Sequence, residues 1–407
     1  MNKILEMIKN EKVEWKKLGD VCEIIDYKRK PVKKSQRIPG EYPYYGANGI
    51  QDYINDYIFD GTFLLMGEDG SVMDEHNRPI LHWVDNKKIW VNNHAHVLAE
   101  KNKNYNLRYI YYFLSKSDVS DIVNGLPPKI NQKNLRNIDI CFPTLETQER
   151  IVKILDTMVD HFTQLQAELQ AELQARNRQY EHYRDKLLSE EYLNKLTKKF
   201  GGEVEYNNQL SSCAKVTKLA GYEFTKYVRY QNEGKIIALR GLNVKRGKIV
   251  LNNVKYIDGS DFSKLNRSKL IKNDILFTYV GTVGEVGLVE ENNRFYLAPN
   301  VALIRIEKDN MLPKFLLYIL QSSNFKYFQI NKWLESSSMK NLTMENIRKF
   351  EIPIPPIPVQ EHIVSILDDF NKIVTDINEG LPKEIELRQK QYEYYRERLL
   401  DFKREED

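Results

Sequence analysis

The chain has 407 residues, enough for two or three domains, and its charged fraction of 29% is ordinary for a globular protein. It contains neither an apolar run of the length that spans a membrane nor a signal peptide, so we expect a cytoplasmic protein without a membrane partner. Cys22, Cys141 and Cys213 are far apart and lack CxxC spacing, which favours reduced thiols over a disulfide framework or zinc site.

The first globular stretch, residues 1–147, is predicted to be rich in β-structure. It opens with a short helical leader over 1–12, and a helix is predicted over 107–114. Between Val21 and Val97, short apolar runs alternate with turn signals at Pro39-Gly40, Asn48-Gly49, Asp60-Gly61 and Asp69-Gly70. This pattern indicates a β-rich α/β domain closed by one or two helices.

Residues 148–199 are predicted to form a long amphipathic helix. Apolar side chains recur at steps of three and four, at Ile151, Leu155, Met158, Phe162, Leu165, Leu169 and Leu173. This spacing keeps one apolar seam on a helix, as a coiled coil requires. A Leu-Gln-Ala-Glu unit is repeated in tandem over 165–172. At about 1.5 Å per residue the helix would extend roughly 60 Å, which exceeds what one small domain covers.

The second globular stretch, residues 200–358, is the most basic part of a chain whose net charge is +4. A helix is predicted over 312–320 as the counterpart of 107–114. The glycines of 281–287 do not fit a GxGxxG loop, so we interpret this segment as a tight β connection. The acidic segment 359–407 is again predicted to be a long helix, with a kink or break where Gly380 and Pro382 fall.

The two long helices are copies of one sequence. Residues 148–156 and 360–368 share the pattern Gln-Glu-x-Ile-Val-x-Ile-Leu-Asp, and the helix ends at 179–188 and 391–400 match at the same offset of 212. Each copy follows a proline-containing, extended connector. We therefore predict an α/β (α+β) protein of two tandem β-rich domains, with two long helices forming an antiparallel coiled coil related by a pseudo-twofold repeat. The alternative is two surface helices that pack on separate domains.

Signatures of catalysis are scarce. The sequence has no GxxxxGK[ST] loop. His94 and His96 alternate as on one face of a strand, which could hold a metal or form a polar network, and the latter is favoured. Glu14-Trp15-Lys16 is the one E-x-K sequence suggestive of a nuclease, but it fits a surface strand better. We predict a chain without catalytic, cofactor or metal residues of its own.

Clusters of basic and polar residues in the two domains indicate DNA binding. Lysine and arginine neutralise phosphates, and Asn, Gln and Arg can pair with base edges, although a solvated loop explains any single residue. In the first domain the candidate contacts are Lys28, Arg29, Lys30, Lys33, Tyr44, Tyr45, Asn48, Asn93, His94 and Lys129. In the second domain they are Arg240, Asn243, Lys245, Arg246, Tyr279, Thr282 and Lys340.

The duplicated helix ends, together with 46–50 (Gly-Ala-Asn-Gly-Ile) and 281–284 (Gly-Thr-Val-Gly), resemble the specificity (S) subunits of Type I restriction-modification enzymes. The resemblance implies that 1–147 and 200–358 are target recognition domains, each binding one half of a gapped, double-stranded DNA target. It implies that 148–199 and 359–407 are central and distal conserved helices. A coiled-coil scaffold without sequence-specific DNA binding is the alternative.

The resemblance further implies a prokaryotic, cytoplasmic complex with two methyltransferase (M) subunits and with restriction (R) translocase-nuclease subunits. S-adenosylmethionine, ATP and Mg²⁺ would be bound by those partners, which would methylate adenine and cleave unmethylated DNA. The helix residues expected to dock the M subunits are Ile151, Leu155, Tyr180, Tyr183, Arg184, Ile363, Leu367, Tyr392, Tyr395 and Arg396.

Overall fold

The computed structural model of the chain describes residues 8, 11–334 and 341–402, and side chains for these residues except 375–379 and 381. The chain divides into two compact units: residues 1–169 with 381–407, and residues 170–380. Each unit thus contains one globular domain together with parts of both predicted long helices. Most of the predicted leader helix over 1–12 lies outside the described residues.

The first unit is built on a six-stranded sheet. The strands of the whole unit are β1 (Glu14–Lys17), β2 (Cys22–Ile24), β3 (Pro39–Gly46), β4 (Gly49–Ile54), β5 (Phe59–Gly67), β6 (Leu81–Val91), β7 (Ala95–Glu100) and β8 (Asp139–Phe142). Its shorter helices are α1 (Leu18–Val21), α2 (Leu107–Leu114) and α3 (Gln132–Arg136). The strand order is β2-β7-β5-β6-β3-β4, while β1 pairs with β8 separately. Adjacent strands are antiparallel, except that β3 and β6 are parallel.

Both faces of this sheet are covered, as strand β5 illustrates. Leu64 and Met66 pack into a core that includes helix α2, while Phe63 and Leu65 pack into a second core on the other face. Successive side chains of a strand point to opposite faces, so an unbroken apolar run is what a doubly covered strand requires. The helix predicted over 107–114 is confirmed as α2.

Two of the four predicted turns are confirmed. Asn48-Gly49 joins β3 to β4, with Gly49 at a φ of 95°, and Asp69-Gly70 lies in the loop after β5. Pro39-Gly40 and Asp60-Gly61 instead lie inside β3 and β5, so those two turn predictions are wrong. The pairing register shifts beside both dipeptides. A bulge accommodates glycine or proline without ending the strand.

Two helices follow the first domain. Helix α4 (Leu145–Leu187) has 43 residues and begins directly after the connector that contains Pro143. Helix α5 (Glu190–Phe200) is capped at its start by the Ser189 side chain, which accepts a hydrogen bond from the Tyr192 N–H. It ends at Gly201, which has the left-handed conformation that glycine adopts without strain.

The domain of the second unit consists of several small sheets. Its strands are β9 (Glu205–Gln209), β10 (Ala214–Lys218), β11 (Ile237–Leu239), β12 (Val244–Lys245), β13 (Lys248–Ile249), β14 (Lys255–Tyr256), β15 (Ile275–Thr278), β16 (Val286–Leu288), β17 (Phe295–Leu297), β18 (Val301–Ile306) and β19 (Glu351–Ile354). Its shorter helices are α6 (Gly221–Tyr227), α7 (Pro313–Gln321), α8 (Ser323–Phe325), α9 (Asn331–Leu334) and α10 (Met344–Arg348), with a π-helical turn (Lys326–Ile330) between α8 and α9. The sheets have the orders β10-β18-β15-β16, β14-β11-β17, β12-β13 and β19-β9.

Two predicted elements of this domain are confirmed. The helix predicted over 312–320 is α7, and the glycine-rich segment 281–287 connects β15 to β16. Strand β9 pairs with β19 in the antiparallel sense, just as β1 pairs with β8 in the first unit. In both units, therefore, the strand that opens the domain pairs with the strand that leads into a long helix.

Helix α11 (Ile357–Leu399) also has 43 residues and begins 212 positions after α4. The start of each long helix shares a unit with the end of the other, as an antiparallel arrangement requires. The helix continues through Pro382, so the predicted break is wrong. Proline removes one backbone hydrogen-bond donor, and a long helix can tolerate this loss when its other backbone hydrogen bonds are kept. The predicted kink stays a prediction.

Candidate nucleic-acid interface

The first unit has a shallow depression of about 400 Å³ at the end of its sheet. Two predicted DNA contacts line it: Asn48, from the β3–β4 turn, and His94, from the β6–β7 connection. Both side chains are exposed, and His94 Nδ1 contacts the carboxylate of Asp69. Gln51 lines the same depression, so amide and imidazole groups are presented together to solvent. These are groups that can donate to or accept from base edges.

An ion network centred on Glu68 lies next to the depression. Lys129 Nζ is 2.9 Å from Glu68 Oε1 and Arg29 Nη1 is 2.5 Å from Glu68 Oε2. Arg29 also donates to the carbonyl of Ala95 at 2.8 Å, and its side chain is only 13% exposed. The prediction that Arg29 contacts DNA is therefore wrong, because internal acceptors already use its guanidinium. Lys129 keeps an exposed side chain at this edge.

Buried His96 completes the network. Its Nδ1 lies 2.6 Å from Asp26 Oδ2, and its Nε2 lies 2.8 Å from the carbonyl oxygen of Ile130. Oxygen and nitrogen atoms of Asp26, Glu68 and His96 come within 4.8 Å of one another, as metal ligands would. Because Lys129 and Arg29 neutralise this cluster, it fits the polar network that the sequence favoured.

Replacing Asp26 should destabilise the first unit in a pH-dependent way. Burial raises the pKa of Asp26, but hydrogen bonds from His96 and the Val97 N–H outweigh burial and hold it below its usual value. Such an acid stabilises the fold above its unfolded pKa, about 4, and this contribution is lost as pH falls through the folded pKa. We expect Asp26→Asn to lower the free energy of unfolding by about 3 kcal/mol at pH 7 and by less at about pH 3.

Urea unfolding at the two pH values measures this effect. The control is Asp52→Asn, which removes a more exposed partner of Arg37 at 3.2 Å and should destabilise the unit much less, because water screens an exposed ion pair. An equal loss for Asp26→Asn at both pH values would contradict the proposed electrostatic origin.

The second unit has a deeper cleft of about 620 Å³. Four predicted DNA contacts line it together: Arg240, Lys245, Arg246 and Thr282. Its wall includes Phe224 and the exposed Tyr230, whose rings pack edge to face with centroids 5.4 Å apart. The cleft thus combines basic groups with an aromatic, partly apolar wall. This combination suits both phosphates and the faces or methyl groups of bases.

Arg246 adopts an unusual backbone conformation. It lies in the two-residue turn between β12 and β13 with a φ of 47°, and Gly247 follows with a φ of 86°. Positive φ at both positions defines the type I′ hairpin turn, in which Asn-Gly is preferred. The other non-glycine residues with positive φ in the described part of the chain are all asparagine. An arginine here is conformationally strained, and such strain concentrates at functional sites.

Several predicted contacts are buried and serve the fold instead. Tyr44 is 1% exposed and its hydroxyl oxygen accepts a hydrogen bond from the Val32 N–H at 2.9 Å. Asn243 is fully buried, and its side chain accepts from the Arg240 N–H and donates to the Val250 carbonyl. These two predictions are wrong, because a side chain without exposed surface cannot reach DNA. Tyr45 and Tyr279 are each 9% exposed and pack mostly into the cores, so their predicted contact with DNA stays a prediction.

Four further predicted contacts lie outside both clefts. Lys28, Lys30, Lys33 and Asn93 are exposed, so their predicted role stays a prediction. Lys340 lies outside the described residues.

Each domain is attached to its long helix by a duplicated contact. In the first unit, Asp156 of α4 accepts hydrogen bonds from the Tyr112 hydroxyl and from Arg108 Nε at 2.8 Å. In the second unit, Asp368 of α11 accepts from the Tyr318 hydroxyl and from Lys314 Nζ, both at 2.5 Å. Burial and these hydrogen bonds raise the pKa of both tyrosines. The sequence offered a signal for this contact, since both aspartates belong to the repeated motif.

A buried glutamine repeats in the same way. Gln148 donates to the carbonyl of Pro143 at 2.9 Å and accepts from the Asn106 N–H at 3.0 Å. Gln360 donates to the carbonyl of Pro355 at 2.7 Å and accepts from the Leu312 N–H at 2.8 Å. Each glutamine ties the start of a long helix to the connector before it and to the start of a domain helix. The repeated motif therefore encodes the domain–helix junction.

This junction changes the interpretation of the predicted subunit contacts. Ile151, Leu155, Ile363 and Leu367 are each 0% exposed in the cores, so the prediction that they contact partner subunits is wrong. Arg184 and Arg396 are 7% exposed and lie over the rings of Tyr180 and Tyr392, each at 5.6 Å. Each of these contacts lies within a single helix, so the predicted subunit-binding role of the two arginines stays a prediction. Tyr183 is 37% exposed and Tyr395 is half-buried, and both keep surface that a partner could cover.

Among the described residues, the helices are too short or too polar to cross a membrane. Two domains with polar or basic clefts, each joined by the same contact to a long helix, are typical of a duplicated DNA-recognition protein. The sequence matches the family model described as "Type I restriction modification DNA specificity domain" over residues 10–175 and 215–387. The chain belongs to this family and is a Type I restriction-modification specificity subunit with two recognition domains.

Relatives of known name agree in length as well as in sequence. A putative type I restriction enzyme specificity subunit of Haemophilus influenzae is 35% identical over 98% of this chain and 97% of its own. A putative type I specificity subunit of Mycoplasma pneumoniae is 28% identical over 95% and 97%. Among solved structures, a chain from a study of the assembly of a type I restriction-modification system has a TM-score of 0.64. It covers 97% of this chain and 98% of its own at 12% identity, which supports the fold.

Proposed function

We propose that each recognition domain reads one half of a gapped, double-stranded DNA target through its cleft. The observation that carries this proposal is the pair of clefts, which contain Asn48 and His94 in one unit and Arg240, Lys245 and Arg246 in the other. The two clefts differ in depth and lining. Two unlike half-sites are therefore expected.

The long helices would hold the two domains at a set separation and present partner-binding surface. The domain–helix contacts at Asp156 and Asp368 would fix the orientation of each domain relative to the helix that it contacts. Exposed parts of Tyr183 and Tyr395 are the predicted contacts that remain available to two methyltransferase subunits. The restriction subunits would join the complex through the methyltransferase subunits.

The chemistry would belong to these partners. They would bind S-adenosylmethionine for adenine methylation, and ATP and Mg²⁺ for translocation and cleavage, with the present chain as the non-catalytic subunit. The complex would act in the cytoplasm of a prokaryotic cell, where its DNA lies.

Methylome sequencing tests this function. The chain should be expressed with its cognate methyltransferase subunit in a host without its own adenine methylation. We expect methylated adenine in one motif of two unlike halves around a fixed spacer. Without this chain the motif should vanish. A motif that persists without the chain, or that never forms with an active partner, would favour the alternative of a coiled-coil scaffold.

A further inference from the structure

A second cleft of about 670 Å³ lies beside the recognition cleft of the second unit. One wall is the C-terminal part of helix α4, with Gln174, Asn177 and Arg178, and the opposite wall carries Arg246, Lys248 and Lys326. Positions 174, 177 and 178 are three and four residues apart, so they share one helix face. The cleft is thus bounded by both the long helix and the domain.

The charges in this cleft are predominantly positive. Arg178 and Lys326 are exposed, and within the described part of the chain neither is paired with a carboxylate. The acidic residues of the lining are Glu181 and Glu285, and Glu285 Oε2 already accepts a hydrogen bond from the Arg246 N–H at 2.9 Å. Arg178 therefore extends into a site with an excess of cations, which is the environment that an anion requires.

The two clefts of this unit form a continuous surface, because Arg246 and Glu285 line both. The recognition cleft has aromatic and apolar walls, whereas the second is lined mainly by amide and basic side chains. Contacts of the second kind bind the DNA backbone and position the duplex without reading sequence. A duplex seated in the recognition cleft carries a phosphate charge about every 1.7 Å, so its flanking phosphates need a basic surface nearby.

We propose that Arg178 and Lys326 bind phosphates that flank the half-site of the second unit, which makes helix α4 part of the DNA-binding surface. This inference rests on the proposed function and adds to it, since the family resemblance implied a role for the long helices in docking the M subunits. The charge complementarity and the shared residue Arg246 favour DNA over an acidic segment of a partner protein.

The experiment uses the complex of the full chain with its methyltransferase subunit. Binding of a duplex carrying the methylated motif, and of one with scrambled half-sites, is measured between about 50 and 200 mM salt. We expect Arg178→Gln with Lys326→Gln to weaken binding to both duplexes and to reduce the slope of log K against log salt by about two. The methylation motif should stay unchanged.

Arg176→Gln is the matched control. Arg176 is an exposed arginine two residues away on α4 that does not line the cleft, and it pairs with Glu172 at 2.7 Å. The control should bind DNA as the unaltered complex does. An unchanged salt slope in the double variant would overturn the inference.

A changed motif would also overturn the inference, because it would assign these residues to base reading. Loss of the methyltransferase subunit from the double variant on gel filtration would assign the cleft to a protein partner and overturn it too. Failure of the proposed function itself would give a different result from failure of this inference. In that case the unaltered complex would show neither a methylation motif nor salt-dependent DNA binding.

Discussion

Replacing Arg246 with asparagine should preserve or increase the stability of the second unit while impairing its DNA recognition. Arg246 has a φ of 47° in a type I′ turn before Gly247, where asparagine is preferred. Relief of the left-handed strain should raise stability by up to about 1 kcal/mol. Loss of the guanidinium from both clefts should cost about 1–3 kcal/mol of binding, or roughly 5- to 150-fold in affinity.

Stability and recognition are measured separately in this test. Urea unfolding of the chain reports the first, and methylome sequencing with DNA binding by the assembled complex reports the second. Arg294→Asn is the control, since Arg294 pairs with Glu291 at 2.9 Å and lines neither cleft. If Arg246→Asn binds DNA normally, Arg246 is not a contact. If it is markedly less stable, the strain argument fails.

Deleting residues 169–172 should change the length of the spacer between the half-sites or inactivate the complex. These residues form one Leu-Gln-Ala-Glu unit of α4, and the boundary between the two compact units falls at 169/170. Removing four residues shortens the helix by about 6 Å, compared with about 3.4 Å per base step of DNA. We expect a motif with the same half-sites and a spacer shorter by about one to two base pairs, or no methylation.

The control keeps the helix length and replaces the exposed Gln170 with alanine, which should leave the motif unaltered. Methylome sequencing of both variants gives the comparison. A fully active deletion variant that retains the original spacer would show that α4 does not set the spacing.

Much of the architecture could be predicted because the information is local and duplicated. Steps of three and four between apolar residues predicted both long helices, and the offset of 212 showed that they are copies. Proline at 382 was weighted too heavily, since the helix continues through this position. The turn predictions at 39–40 and 60–61 failed because a glycine or proline can equally mark a bulge within a strand.

The candidate site could be predicted only in part. Asn48, His94, Lys245 and Thr282 do reach the clefts, since they lie in exposed turns or at strand ends. Arg29 has the same local signature as Lys28, yet Glu68 and Ala95 bind its guanidinium. Arg178 was missed because it lies in a helix whose composition shows no positive excess.

The sequence by itself determined the tandem halves, the paired long helices and the family, because periodicity and repetition are properties of the linear chain. The tertiary structure decided which polar residues are exposed. Asp156 and Gln148 join α4 to the first domain, whereas Arg246 lines two adjoining clefts. The physical reason is that the burial of a side chain depends on which elements pack against it. That packing brings together residues separated by tens or hundreds of positions.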